Sequence, residues 1–220
     1  MQACFMKADY YALFPQEIRR VEAFNIANAL HPFMELDDCI AGRRSIRSYE
    51  DKSVPKEVIQ KILNAGVWAP SGMNSQPWHF AVIESREIIN KLSERTKELV
   101  SENMPLPENL KAAFKSDKDV IFYGAPLLIL ISVQKKEENW RTVNLLDCGL
   151  AAENMFLAAY QAGLGSCFIG FAAFLNHDAK TLADVGIPED HELTAPLIFG
   201  YPSETPDQKT REVKMLKWIK

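Results

Sequence analysis

The 220-residue chain has little of what builds metal or disulfide frameworks. Its four cysteines (Cys4, Cys39, Cys148 and Cys167) are scattered without a C-x-x-C pair. Its four histidines (His31, His79, His177 and His191) form no H-E-x-x-H. That spacing excludes the common zinc frameworks and leaves the cysteines as reduced thiols, so no metal is expected. A P-loop, a G-x-S-x-G elbow and internal repeats are also missing, which removes P-loop NTPases, α/β-hydrolases and solenoids. No apolar run is long enough to span a bilayer, and the opening MQACFMKADYYALF puts Lys7 and Asp9 where a signal peptide would be apolar. Positive charge is not in excess either. The 25 Lys+Arg against 29 Asp+Glu leave a net charge of −4, so no bulk field recruits nucleic acid or an anionic membrane. The expectation is a soluble, cytoplasmic protein.

What is present is an ordinary globular composition, 47% hydrophobic and 25% charged, in a length that suits one domain with a short appendage. The appendage is residues 1–33. Pro15 sits well in a first helical turn, and the spacing of Ile18, Val21 and Leu30 predicts an amphipathic helix that ends at His31-Pro32. Within residues 34–220 the pattern predicts a helix at about Glu35–Ala41 with Gly42 at its C′ position. The extended basic stretch RRSIRSYEDKSV follows, then a helix from about Pro55 to Val67 with Ser53 near its N-cap. After the loop SGMNSQP, WHFAVIE alternates as a strand. Ser85 is expected to cap a helix running to about Glu102, and a short helix covers Glu108–Ser116. APLLILISV reads as a buried strand. Asp147 is expected to cap a helix over Gly149–Gln161 that is apolar nearly all round, buried in a large core or between subunits. SCFIG is a short strand with Gly165 and Gly170 as turn residues at its ends. A helix near Asn176–Val185 and the strand TAPLIFG complete an α+β or α/β order.

Three constellations could carry chemistry. Arg43, Arg44, Ser45 and Arg47 put three guanidiniums and a hydroxyl in five residues, a set suited to a phosphate through forked, charge-assisted bonds. In an extended segment Arg43, Ser45 and Arg47 share one face, and Arg44 and Ile46 the other. The second is Pro70-Ser71-Gly72-Met73-Asn74-Ser75-Gln76-Pro77-Trp78. Gly72 allows close backbone approach, and Ser71, Asn74 and Gln76 offer neutral donors and acceptors. The third, GLGSCFIG at 163–170, follows a helix and enters a strand, the reverse of a dinucleotide-binding loop, so a Rossmann reading is rejected. Cys167 reads as an inert core thiol. Trp68, Trp78 and Trp140 read as core or interface residues.

The order RRSIRSY, APSGMNSQPWHFAVI, YGAPLLILIS, DCGLAAENMFLAAYQAGLGSCFIG and FGYPSETP resembles the FMN-dependent nitroreductase family over about residues 34–211. The resemblance implies an α+β fold, an α/β/α sandwich with a mainly antiparallel sheet, working as an intertwined homodimer with FMN at the interface. It implies that Arg43, Arg44, Ser45 and Arg47 hold the FMN phosphate and pyrimidine edge. Pro70, Ser71, Gly72 and Asn74, with Gln76 in the same motif, would come from the other subunit. Ile169 and Gly170 would face flavin N5 and O4. Arg211 would close on the phosphate, with Lys209 as a competing candidate. The implied activity is an NAD(P)H oxidoreductase acting on nitroaromatics, quinones or other small electrophiles by ping-pong hydride transfer through flavin N5, without a side-chain acid or base. Arg47 would stabilise charge. NADH or NADPH is the donor. Alternatives on the same scaffold are a flavin reductase, an enone reductase or a dehalogenase, and from another class a non-enzymatic FMN-binding protein. Residues 1–33 precede Met34-Glu35-Leu36, which resembles the family's usual start. They are read as a helical extension or the product of an upstream start codon.

Overall fold

The apolar run after Ala125 sets the centre of the fold. In the computed structural model, which describes residues 34–116 and 118–220, Leu127–Gln134 is a strand (β2) buried at every residue but the last. The helix expected over Pro15–Leu30 lies outside the described residues. A strand buried on both faces needs a layer on each side, and side-chain alternation divides the two cores. Leu127, Ile129, Ile131 and Val133 enter one, and Leu128 and Leu130 enter the other. Strands β1 (His79–Ile83) and β4 (His191–Gly200) flank β2, and β3 (Gly165–Phe168) pairs with the far side of β4. All three pairings are antiparallel. The first core is closed by helices α2 (Lys56–Val67) and α5 (Glu138–Gln161), through Ile59, Ile62, Ala151, Met155 and Ala159. The second is closed by α3 (Arg86–Asn103), a 3-10 segment over Gly170–His177, and α6 (Ala179–Asp184), through Ile89, Leu92, Ala172, Leu175 and Leu182. The short helices α1 (Leu36–Gly42) and α4 (Glu108–Phe114) complete the described elements. This is the expected α+β sandwich with an antiparallel centre.

One irregularity keeps β4 in phase with both cores. Ile131 faces Ala195 and Ser132 faces Leu193, so Thr194 is the extra residue of a bulge, and its hydroxyl donates to the Ile131 carbonyl at 3.0 Å. The bulge turns Leu193 into the second core while Ala195 and Leu197 face the first.

Several local expectations are corrected. Helix α5 starts at Glu138, so Asp147 is a buried mid-helix residue and not its cap. Of the two burials expected for α5, enclosure within this chain is excluded, because Trp140, Leu146 and Leu150 are exposed on it, and burial between subunits remains. Helix α2 starts behind Pro55 without a side-chain cap, so Ser53 has no such role. Ser85 does cap α3, accepting from the Ile88 N–H at 3.4 Å. Gly42 is the last residue of α1, where a Cβ would collide with the Tyr160 side chain, so close packing and not a left-handed turn requires glycine. Gly165 is the first residue of β3, but the turn before it is made by Gly163 at φ 77°. The expected helix over Asn176–Val185 is two pieces. Asp178 between them caps α6 by accepting from the Thr181 N–H at 3.0 Å. None of the described helices is long and apolar enough to cross a membrane.

Candidate functional site

The extended segment pairs with β3 at Ser45 and Ile46 and with the stretch after β4 at Ser48–Glu50. The Ile46 N–H donates to the Ser166 carbonyl at 2.9 Å, and Ser45 bridges Ser166. Ile46 is buried, and Gly165 makes room for it: a Cβ there would stand 2.5 Å from Ile46 Cγ1. The opposite face presents Arg43, Ser45 and Arg47. Arg43 Nε is 3.3 Å from Glu153 Oε1, and its guanidinium lies 5.9 Å from the centre of the Phe156 ring. That Nε is buried without a hydrogen-bond partner. Arg47 reaches over the Tyr123 ring at 5.9 Å. Arg44 turns back instead, its Nη1 donating to the carbonyls of Ala41 at 2.6 Å and Arg43 at 2.7 Å, where it closes the end of α1.

The Cys167 thiol shows which groups converge. Burial pushes its pKa up, against the lowering effects of Arg47, of a hydrogen bond from Ser45 and of Arg43. Arg43, Ser45 and Arg47 therefore all act on the same thiol of β3. Two residues further on are Ile169, whose N–H donates to the Pro196 carbonyl at 2.9 Å, and Gly170, beside which a Cβ would meet open space. Burial also pushes the Tyr49 phenol up, and its hydroxyl donates to the Ile46 carbonyl at 2.8 Å. Arg211 is in the exposed tail. That tail passes the strip at Gln208, whose Nε2 is 3.5 Å from the Ala41 carbonyl, but no hydrogen bond joins Arg211 or Lys209 to the strip among the described residues.

The second candidate loop is tightly wound. Residues Gly72–Asn74 form a 3-10 turn after Pro70, and Met73, Asn74 and Gln76 all take positive φ (54°, 54° and 46°). Ser71 Oγ accepts the Gln76 N–H at 2.9 Å, and Gln76 Nε2 donates to Asn74 Oδ1 at 3.3 Å. The Gly72 N–H donates to Asp147 Oδ2 on α5 at 3.0 Å. On its far side Gln76 lines a groove of about 630 Å³ with His79, Lys136, Trp140 and Asn144. The loop is attached at Asp147 and Arg43 at Glu153, six residues along α5. At roughly 100° per residue those positions lie about 120° apart around the helix, so loop and strip use different faces of it.

Arg43, Ser45 and Arg47 thus all bear on Cys167 of β3, the strand that Ile169 and Gly170 follow in the chain. Pro70, Ser71, Gly72, Asn74 and Gln76 form a separate group. Residues that sequence reasoning passed over hold both together: Glu153 and Phe156 at Arg43, Tyr123 at Arg47, and Asp147 at the loop. Asp147 carried a signal, a carboxylate just before an apolar run, but the same signal marks a helix cap.

A helix-flanked antiparallel sheet with an arginine strip on its edge strand, and a polar loop pinned to the longest helix, define a narrow class. The Nitroreductase family profile matches residues 40–201, and the chain belongs to that family. A protein of Archaeoglobus fulgidus, provisionally named NADH dehydrogenase/NAD(P)H nitroreductase, is 34% identical over 176 residues, 78% of this chain and 90% of its own. One of the same provisional name from Methanothermobacter thermautotrophicus is 31% identical over 173 residues, 79% of this chain and 80% of its own. Among solved structures, a nitroreductase with bound FMN from Bacteroides fragilis superposes with a TM-score of 0.74 at 30% identity, covering 86% of this chain and all of the other.

Proposed function

We propose that this protein is an FMN-dependent NAD(P)H oxidoreductase that reduces nitroaromatics, quinones or related small electrophiles as a homodimer, with residues 34–220 as the FMN-binding domain. The observation that carries the reading is Arg43, whose buried Nε is ion-paired with Glu153 at 3.3 Å but makes no hydrogen bond, in one strip with Ser45 and Arg47. Glu153 balances the charge of Arg43 but leaves its buried Nε–H without a hydrogen bond, and an anion fits the remaining donors of the guanidinium. The open side of Gly170 leaves room for a flat ring against the backbone.

When bound, FMN supplies the two-electron relay between nicotinamide and electrophile. Arg43 and Ser45 would hold its phosphate, with Arg44 closing the end of α1 beneath them. Arg47 would sit at the pyrimidine edge, where a fixed cation favours the charge that develops on reduction. Backbone at Ile169 and Gly170 would face N5. Loop 70–76 would serve the partner's flavin. The separate faces of α5 used by loop and strip support that division of labour, as do the exposed apolar side chains Trp68, Met73, Leu146 and Leu150. Arg211 would close on the phosphate, and the tail after it would pack on the partner.

Solvent can provide the protons, and donor and electrophile would share one groove in turn. Stopped-flow reduction of the bound flavin by NADH or NADPH, with steady-state kinetics against a nitroarene and a quinone, tests this. Reduction with parallel double-reciprocal plots is expected. A flavin that neither nucleotide reduces would leave a binding protein, and intersecting plots would remove the shared groove.

A further inference from the structure

Asp147 is a carboxylate 5% exposed in the interior of α5, and no cation pairs with it among the described residues. A buried carboxylate without a cation is costly, so the bond it makes carries weight. That bond is to the Gly72 N–H at 3.0 Å. The other hydrogen bonds of the loop close within it: Asn74 N–H to the Ser71 carbonyl at 3.0 Å, Ser75 N–H to the Gly72 carbonyl at 3.1 Å and Gln76 N–H to Ser71 Oγ at 2.9 Å. They shape the turn without fixing where it sits. The turn also holds Met73 and Gln76 at positive φ, a conformation that side chains of their kind rarely adopt and that persists only when the surroundings impose it. Against α5 the loop has two anchors. One is Asp147. The other is Val143, whose Cγ1 is so close that a Cβ on Gly72 would stand 2.8 Å from it.

We infer that Asp147 is a positioning residue for the cofactor loop: through the Gly72 amide its buried carboxylate fixes residues 71–76 on α5 in the conformation that receives FMN. The inference rests on the proposed FMN reading for the last step only, because the anchoring is a property of the chain itself. An acceptor is what the site requires, so an amide oxygen can replace the carboxylate while a methyl group cannot.

The test compares D147A, D147N and I62V, the last a remote core change that lowers stability without touching the loop. Two quantities are read: FMN affinity by flavin fluorescence, and hydrogen exchange of residues 71–76 in the flavin-free protein. In D147A the FMN Kd should rise about 10-fold or more, the scale of losing one hydrogen bond to a charged group. Exchange at the loop should accelerate. D147N should stay within about threefold of the wild type in Kd, the small penalty of exchanging one acceptor for another. I62V should move neither quantity. D147A with wild-type Kd and wild-type exchange overturns the inference, and so does D147N as weak as D147A. Should D147A fail to fold, D147S replaces it, since its hydroxyl falls short of the Gly72 amide. The same outcomes are then expected, and wild-type behaviour overturns the inference. A wild-type protein that takes up no FMN would refute the functional reading, while the exchange data would still decide the anchoring.

Discussion

Asp119 accepts four hydrogen bonds, from Ser93 Oγ at 2.6 Å and from the amides of Ile121 at 3.1 Å, Phe122 at 2.8 Å and Gly124 at 3.0 Å. They wind residues 119–124 into a knot in which Tyr123 takes φ 55°, unusual for an aromatic residue, and lies beneath Arg47. Replacing Asp119 with alanine leaves buried amides unpaired. The expected loss is about 2–4 kcal/mol in urea unfolding, the range for breaking a buried network. Arg47 itself belongs to the proposed chemistry. Arg47→Ala should slow flavin reduction by roughly 10²–10³ in single-turnover experiments at full flavin occupancy, and Arg47→Lys should recover only part, since a point charge does not reproduce the fork. A fully occupied Arg47→Ala protein reduced at the wild-type rate would remove Arg47 from the mechanism. At this scale the sequence was readable where alternation decides. Ile46 had to point opposite to Arg43, Ser45 and Arg47, and it is buried. It was unreadable where one residue type has two uses. Asp147 resembled a cap because caps and buried anchors both want a short carboxylate. Gly165 resembled a turn because a missing side chain does not reveal which neighbour fills its place.

Helix α6 depends on Asp178, which accepts from the Thr181 amide and pairs with Arg95 of α3 at 2.7 Å. These bonds hold its carboxyl down to about 2, against an ordinary value of 3.8, the Thr181 amide contributing most and Arg95 next. A folded-state pKa below the unfolded one stabilises fully above the unfolded value and is lost as the pH falls through the folded one. Wild type and Asp178→Asn should therefore differ most in urea stability above about pH 4 and converge as the pH approaches 2. A constant difference across that window would show that the charge contributes nothing. Helix α5 makes a second test at this scale. Its inner face is small and apolar, with Ala151, Met155 and Ala159, while Leu146 and Leu150 stand 66% and 48% exposed. A solvated helix rarely presents such a stripe. Leu146→Glu combined with Leu150→Glu should convert a dimer to monomers by light scattering and release the flavin. A double variant that stays dimeric would place the interface elsewhere. The first turns of α5 escaped sequence reading because ENWRTVN is largely polar and solvent-facing. Only its second half, LAAENMFLAAY, carries the apolar density that marks a buried helix.

Across the described residues the three-layer arrangement was legible, because one strand apolar on both faces between amphipathic helices admits few alternatives. The site was legible in its parts and illegible as a whole. The strip and the loop lie far apart in sequence, and within one chain they use different faces of α5, so no pattern along a single chain links them. In the proposed homodimer, the loop of one chain would meet the strip of the other. That proposed homodimer, two chains holding FMN between them, is what most needs testing. The most direct measurement is to isolate the native protein by size exclusion with light scattering, release its flavin by heat, and identify and count the flavin against chain concentration. A dimer of 24.9 kDa chains carrying FMN, one per chain, is expected. FAD in the extract, a monomer that retains FMN, or no flavin after reconstitution with FMN would contradict it.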